Sequence, residues 1–145
     1  MTAEILVKYA HFVCVFLIVG ALVGEHLLLR PSLTRAELHR LARLDGLYAL
    51  GVIGVLAAGF TLWFWIGKPA AFYSDNPLFL TKLGLFGLMG VLSIYPSIFF
   101  ARQRKGDPAE RVTLPVAIVW SVRAELLCLF SMPLLATLMA RGIGL

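Results

Sequence analysis

Three ionisable side chains, His11, Glu25 and His26, fall within a single apolar stretch, Ile5 to Leu29, that is long enough to cross a bilayer. At about 100° per residue, Glu25 and His26 lie roughly 40° and 60° to either side of the His11 direction, with Gly20 and Gly24 opposite. The stretch therefore has a chemical face and a small-residue face. Asp45, Lys82, Arg123 and Glu125 also sit in apolar surroundings further along the chain. Even mild insertion scales charge about 2.5 kcal/mol for one such group at mid-membrane, so these side chains are expected to face a bundle interior and pair.

Depth sorts them into two groups. At 1.5 Å per residue from the outer helix ends, His11 lies roughly 12 Å deep and Lys82 roughly 8 Å deep. On the same scale Glu25 and His26 fall at roughly 33 to 35 Å, Asp45 at roughly 31 Å, and Arg123 and Glu125 at roughly 24 to 27 Å. The second group forms an inner polar cluster, in which Arg123 is expected to pair with Glu25 or Asp45. Glu125 is about 200° around its helix from Arg123, so one of the two must look elsewhere. Such a cluster reads equally well as register-fixing ion pairs or as a proton path.

An inward histidine in a helical bundle can ligate haem iron, carry protons, or simply hydrogen-bond within the core. His11 has no second histidine at its depth, which argues against an ordinary bis-histidine cytochrome. Five-coordinate haem, a non-histidine second ligand, or a site completed by another subunit remain. Glu25, His26 and Asp45 lack the closely spaced His or Cys pair that would support a different metal site. There is no serine-centred triad and no phosphate loop, so soluble-type hydrolase or NTPase chemistry is not indicated.

The elements that must position these residues are transmembrane helices. A chain of 145 residues with 60% hydrophobic and 14% charged residues is too apolar for a soluble domain, and its mean hydropathy is +0.88. Apolar stretches at about 3–29, 40–66, 77–101 and 114–140 are each long enough to span, giving one all-α four-helix transmembrane domain over 1–145. The net charge of +5 sits in short connections beside membrane segments and reports topology and anionic lipid, not nucleic acid. Arg30, Arg35, Arg40 and Arg43 flank the first connection, and Arg102, Arg104, Lys105 and Arg111 the third. Both connections are expected to be cytoplasmic and both termini outside. The opening residues include Glu4 and carry no basic run, so no cleavable signal peptide is expected. Cys14 and Cys128 lie within membrane segments and are expected to be free.

Local signals refine this. Thr34 and Glu37 have capping-box spacing, which starts the second helix there. Trp63, Phe64, Trp65 and Tyr73 are expected in an outer aromatic belt. Asn76 and Pro77 open the third helix, Pro96 is expected to kink or end it, and Pro133 to interrupt the fourth before Gly142 stops it. Asp107, Pro108 and Glu110 predict a brief turn before Pro115. Gly51, Gly54, Ala57 and Ala58 permit close helix approach, and Gly20-x-x-x-Gly24 offers a face for a homo-oligomer or for the chain's own helices.

His11, the Glu25-His26-Leu27 turn, Asp45-Gly46-Leu47-Tyr48, Asn76-Pro77-Leu78-Phe79 leading to Lys82, Ser93-Ile94-Tyr95-Pro96, Glu125 and Met139-Ala140-Arg141-Gly142 together resemble a family of small bacterial membrane proteins catalogued as a domain of unknown function. A weaker, superfamily-level similarity runs to the HemJ-type protoporphyrinogen oxidases. That resemblance implies a haem-associated histidine at His11 and the later-helix lysine at Lys82.

Three functional readings follow. The first is a bacterial inner-membrane protein that binds a b-type haem or related tetrapyrrole, with His11 on the iron, Lys82 near a carboxylate and a redox role, its small-molecule partner being porphyrin- or quinone-like. The second is a small proton- or ion-coupled transporter that uses Glu25, His26, Asp45, Arg123 and Glu125. The third is a ligand-free subunit or assembly factor of a membrane complex.

Overall fold

The computed structural model describes residues 2–62, 64 and 77–141. Four helices, α1 (Thr2–Leu28), α2 (Arg35–Thr61), α3 (Pro77–Gln103) and α4 (Val116–Ala140), are each long and apolar enough to cross a membrane. Successive helices pack side by side, with α1 against α2 and α3 against α4 as the extensive contacts. The α2–α3 and α1–α4 contacts that close the ring are sparser.

Helix α2 begins where its sequence dictates. The Thr34 hydroxyl accepts from the Glu37 amide at 3.2 Å, and the Glu37 carboxylate accepts from the Thr34 amide at 3.1 Å, completing the capping box. Close approach of α1 and α2 depends on two residues without side chains. A Cβ on Gly51 would lie 2.8 Å from Ile18 Cγ1, and one on Gly54 would run into Cys14 Sγ. Both cysteines are free.

Neither internal proline breaks its helix. Helix α3 runs through Pro96 to Gln103, and α4 runs through Pro133 to Ala140. A proline removes one backbone bond, and the polar side chains of a transmembrane helix take up freed groups. One turn beyond Pro133, the Thr137 hydroxyl donates to the Pro133 carbonyl at 2.8 Å. Phe64, 53% exposed, stacks on Phe60; Trp63, Trp65, Tyr73, Asn76 and Gly142 lie outside the described residues.

The all-α expectation needs one amendment. Strand β1 (Ser32–Thr34) pairs antiparallel with β2 (Arg111–Thr113), placing Leu33 opposite Val112. Each strand reads polar, apolar, polar, a half-buried pattern too short to stand out in the sequence. Leu33 is buried with Leu38, Leu41, Phe100, Leu114 and Ile118 in a cluster that closes this end of the bundle. Arg35 fastens the ribbon: its guanidinium donates to the Gln103 carbonyl at 2.6 Å and to both oxygens of Glu110. Gly106, at φ 122°, makes the intervening turn and leaves room for Arg35. The two arginine-rich connections thus lie together at one end, and the described helix ends Thr2 and Ala140 at the other.

A second cluster occupies the middle of the bundle, built from Ile18, Leu22, Tyr48, Met89, Val122 and Leu129. Large apolar residues on the outer faces, among them Phe12, Phe16, Ile53, Val91 and Leu127, are exposed, as a lipid-facing surface requires.

Candidate intramembrane carboxyl site

Three helices each bring one carboxyl group inward at the floor of the middle cluster: Glu25 from α1, Asp45 from α2 and Glu125 from α4. Glu25 is 2% exposed and Glu125 is 1% exposed. The Glu25 carboxyl faces Asp45, and the charges of Asp45 and Glu125 act on one another. Helix α3 completes the surround with two hydroxyls, Ser97 beside Asp45 and Ser93 beside Tyr48. Tyr48, one turn along α2 from Asp45, stands between Ser93 and Glu125.

This site is polar yet incompletely satisfied. Glu25 Oε1, Glu125 Oε1 and the Tyr48 hydroxyl are buried with no hydrogen-bond partner among the described residues. A buried polar group left without a partner costs about 1 to 3 kcal/mol, so three at one place are a concentrated expense.

No cation among the described residues is paired with the carboxyls. The expected pairing of Arg123 with Glu25 or Asp45 is not found among the described residues. Arg123 is exposed on the outer face of α4, its guanidinium 5.1 Å from the centre of the Trp120 ring. It starts only about 10 Å along α4 at 1.5 Å per residue, so a long side chain can reach back toward the ribbon end while its stem lies on apolar surface. Of the 200° separation between Arg123 and Glu125, it is Glu125 that takes the interior. His26 is half-buried, one residue on from Glu25 and turned off its direction. Among the described residues no group of three or more His, Cys, Asp or Glu side chains could hold a metal ion.

Tyr48, Ser93 and Ser97 extend the site beyond the ionisable residues. Their signal in the sequence is helical spacing: Tyr48 follows Asp45 by three, and Ser97 follows Ser93 by four, so each pair shares a face.

The outer pair is separate. His11 is half-buried against α2, with its Cε1 4.0 Å from where a Gly59 Cβ would stand, and its Nδ1 is buried without a hydrogen-bond partner. Lys82, half-buried on α3, is near enough for its charge to act on His11. His11 on α1 and Lys82 on α3 are thus within electrostatic reach of one another.

Between α2 and α3, where contacts are sparse, a cleft of about 360 Å³ opens, lined by Tyr48, Val52, Leu56, Phe86 and Met89 among others. Gly24 packs against Leu44 within the chain, whereas Gly20 meets nothing.

A family model described as "Predicted membrane protein (DUF2214)" matches residues 3–144. No curated protein and no solved structure matches the chain.

Proposed function

The chain belongs to the predicted membrane protein family DUF2214, and from its own side chains we propose that it moves protons within the membrane at Glu25, Asp45 and Glu125. One observation carries the reading: carboxyls from three helices converge, those of Glu25 and Glu125 fully buried with an unpartnered oxygen each and that of Asp45 half-buried beside them, with no basic side chain paired to them among the described residues. A structural ion-pair network would supply the cation, and here Arg123 faces out. Two carboxyl groups facing each other can hydrogen-bond only by sharing a proton, so a proton is the species this site is built to hold. Tyr48, Ser93 and Ser97 supply hydroxyls that both donate and accept, as a relay requires. The mechanism is hand-over among these oxygens, with the α2–α3 cleft beside Tyr48.

The test is pH-driven flux into liposomes carrying an internal pH dye. Wild-type protein should conduct above protein-free vesicles, and Glu125→Gln, which keeps the shape but removes the exchangeable proton, should abolish it. Undiminished flux in Glu125→Gln removes the reading.

A second reading has its own support in the buried, unpartnered Nδ1 of His11 and the nearby Lys82. In it, His11 would ligate the iron of a b-type haem or related tetrapyrrole and Lys82 would meet a propionate, the haem supplying one-electron redox chemistry. The weaker similarity to HemJ-type oxidases read from the sequence would point the same way, though the comparisons with known proteins do not show it. Protein purified from cells fed haem precursors should then show a Soret band that His11→Ala shifts or removes. A spectrum without one excludes it.

A further inference from the structure

The ribbon end holds a second concave feature, a groove of about 320 Å³ lined by Arg35, His39, Arg40, Arg43 and Arg104 with Ala36 and Pro108. It is assembled from two parts of the chain far apart in sequence, the first turns of α2 and the segment that follows α3. Their juxtaposition is fixed by backbone: the Arg35 amide donates to Glu110 O at 3.0 Å and the Ala36 amide to Pro108 O at 3.2 Å. Arg35 is neutralised by Glu110. Arg40, Arg43 and Arg104 are exposed and have no ion pair among the described residues. Three like charges held around one hollow repel one another, and an anion seated between them relieves that repulsion.

The same face of α2 continues from charge to hydrocarbon. Leu47 and Leu50 follow Arg43 at helical spacing and are 44% and 60% exposed. A soluble anion has no use for that apolar strip, whereas a lipid needs both. We propose that the groove binds the phosphate headgroup of an anionic bilayer lipid, with its acyl chains along Leu47 and Leu50. The guanidinium groups of Arg40, Arg43 and Arg104 donate to the phosphate oxygens, at the depth where headgroups lie.

The experiment places the full chain in nanodiscs of phosphatidylcholine, with or without phosphatidylglycerol or cardiolipin, and reads lipid retained on release by native mass spectrometry together with the melting temperature. Anionic lipid should be retained and should raise the melting temperature. Arg40→Gln/Arg43→Gln/Arg104→Gln should cut retention at least about tenfold, the effect of losing even one charged hydrogen bond to the phosphate. A charge-matched variant outside the groove, Arg30→Gln/Arg102→Gln/Lys105→Gln, removes surface charge but no groove donor and should retain clearly more lipid than the groove variant. Should the groove variant fail to fold, Arg104→Gln alone is read the same way. Equal loss in both triple variants would mean diffuse surface charge, and equal stabilisation by millimolar inorganic phosphate would mean a soluble anion. Either result, or no retained lipid, overturns the proposal.

Discussion

At the scale of single residues, the carboxyl site separates stability from function. The Tyr48 hydroxyl stands between Ser93 and Glu125 without a well-formed hydrogen bond to either, so Tyr48→Phe should leave melting in detergent within about 1 kcal/mol of wild type. Yet the same variant should slow liposome proton flux, because it removes a group that both donates and accepts. An unchanged flux would place Tyr48 outside the path. The polar residues of this site were legible in the sequence as types and depths: Glu25, Asp45 and Glu125 do converge. What the sequence withheld was the sign of the site. Arg123 and Glu125 are two residues apart, and nothing local decides which one takes the interior. The decision comes from tertiary packing, which buries Glu125 and lets the longer, always charged arginine escape to the surface across Trp120.

At the scale of helices, glycines of the same type have opposite environments. A Cβ at Gly51 would press on Ile18 and the Cys14 carbonyl, so Gly51→Ala should cost about 1 to 3 kcal/mol by forcing α1 and α2 apart. At Gly87, on α3, a Cβ meets nothing within 4 Å, and Gly87→Ala should gain up to about 1 kcal/mol from helix propensity. Thermal unfolding of the two variants side by side checks the contrast; equal effects would contradict the packing described. The helices were readable because hydrophobic length and the Thr34–Glu37 box are local. Whether a proline ends its helix was not legible for a physical reason: its cost is set by what surrounds the freed backbone group, and that is invisible in one dimension.

At the scale of the whole molecule, the ribbon joins what the helices keep apart. Arg35 is the chief side-chain tie, with only 16% of its side chain exposed and its guanidinium on Gln103 and Glu110. Arg35→Ala should cost about 2 to 3 kcal/mol, since it removes charged hydrogen bonds and leaves the Gln103 carbonyl without that donor. Greater proteolytic cleavage between Arg104 and Arg111 in the variant would report the loosening; cleavage at the wild-type rate would show that backbone pairing alone suffices. The ribbon also sets an order of events. Strand β1 emerges right after the first membrane crossing, but its partner β2 exists only once the third helix has been made and inserted. The first hairpin of helices must therefore wait in the bilayer with its strand unmatched, and the antiparallel pairing acts as a late latch that joins α1 and α2 to α3 and α4 after synthesis has passed residue 113.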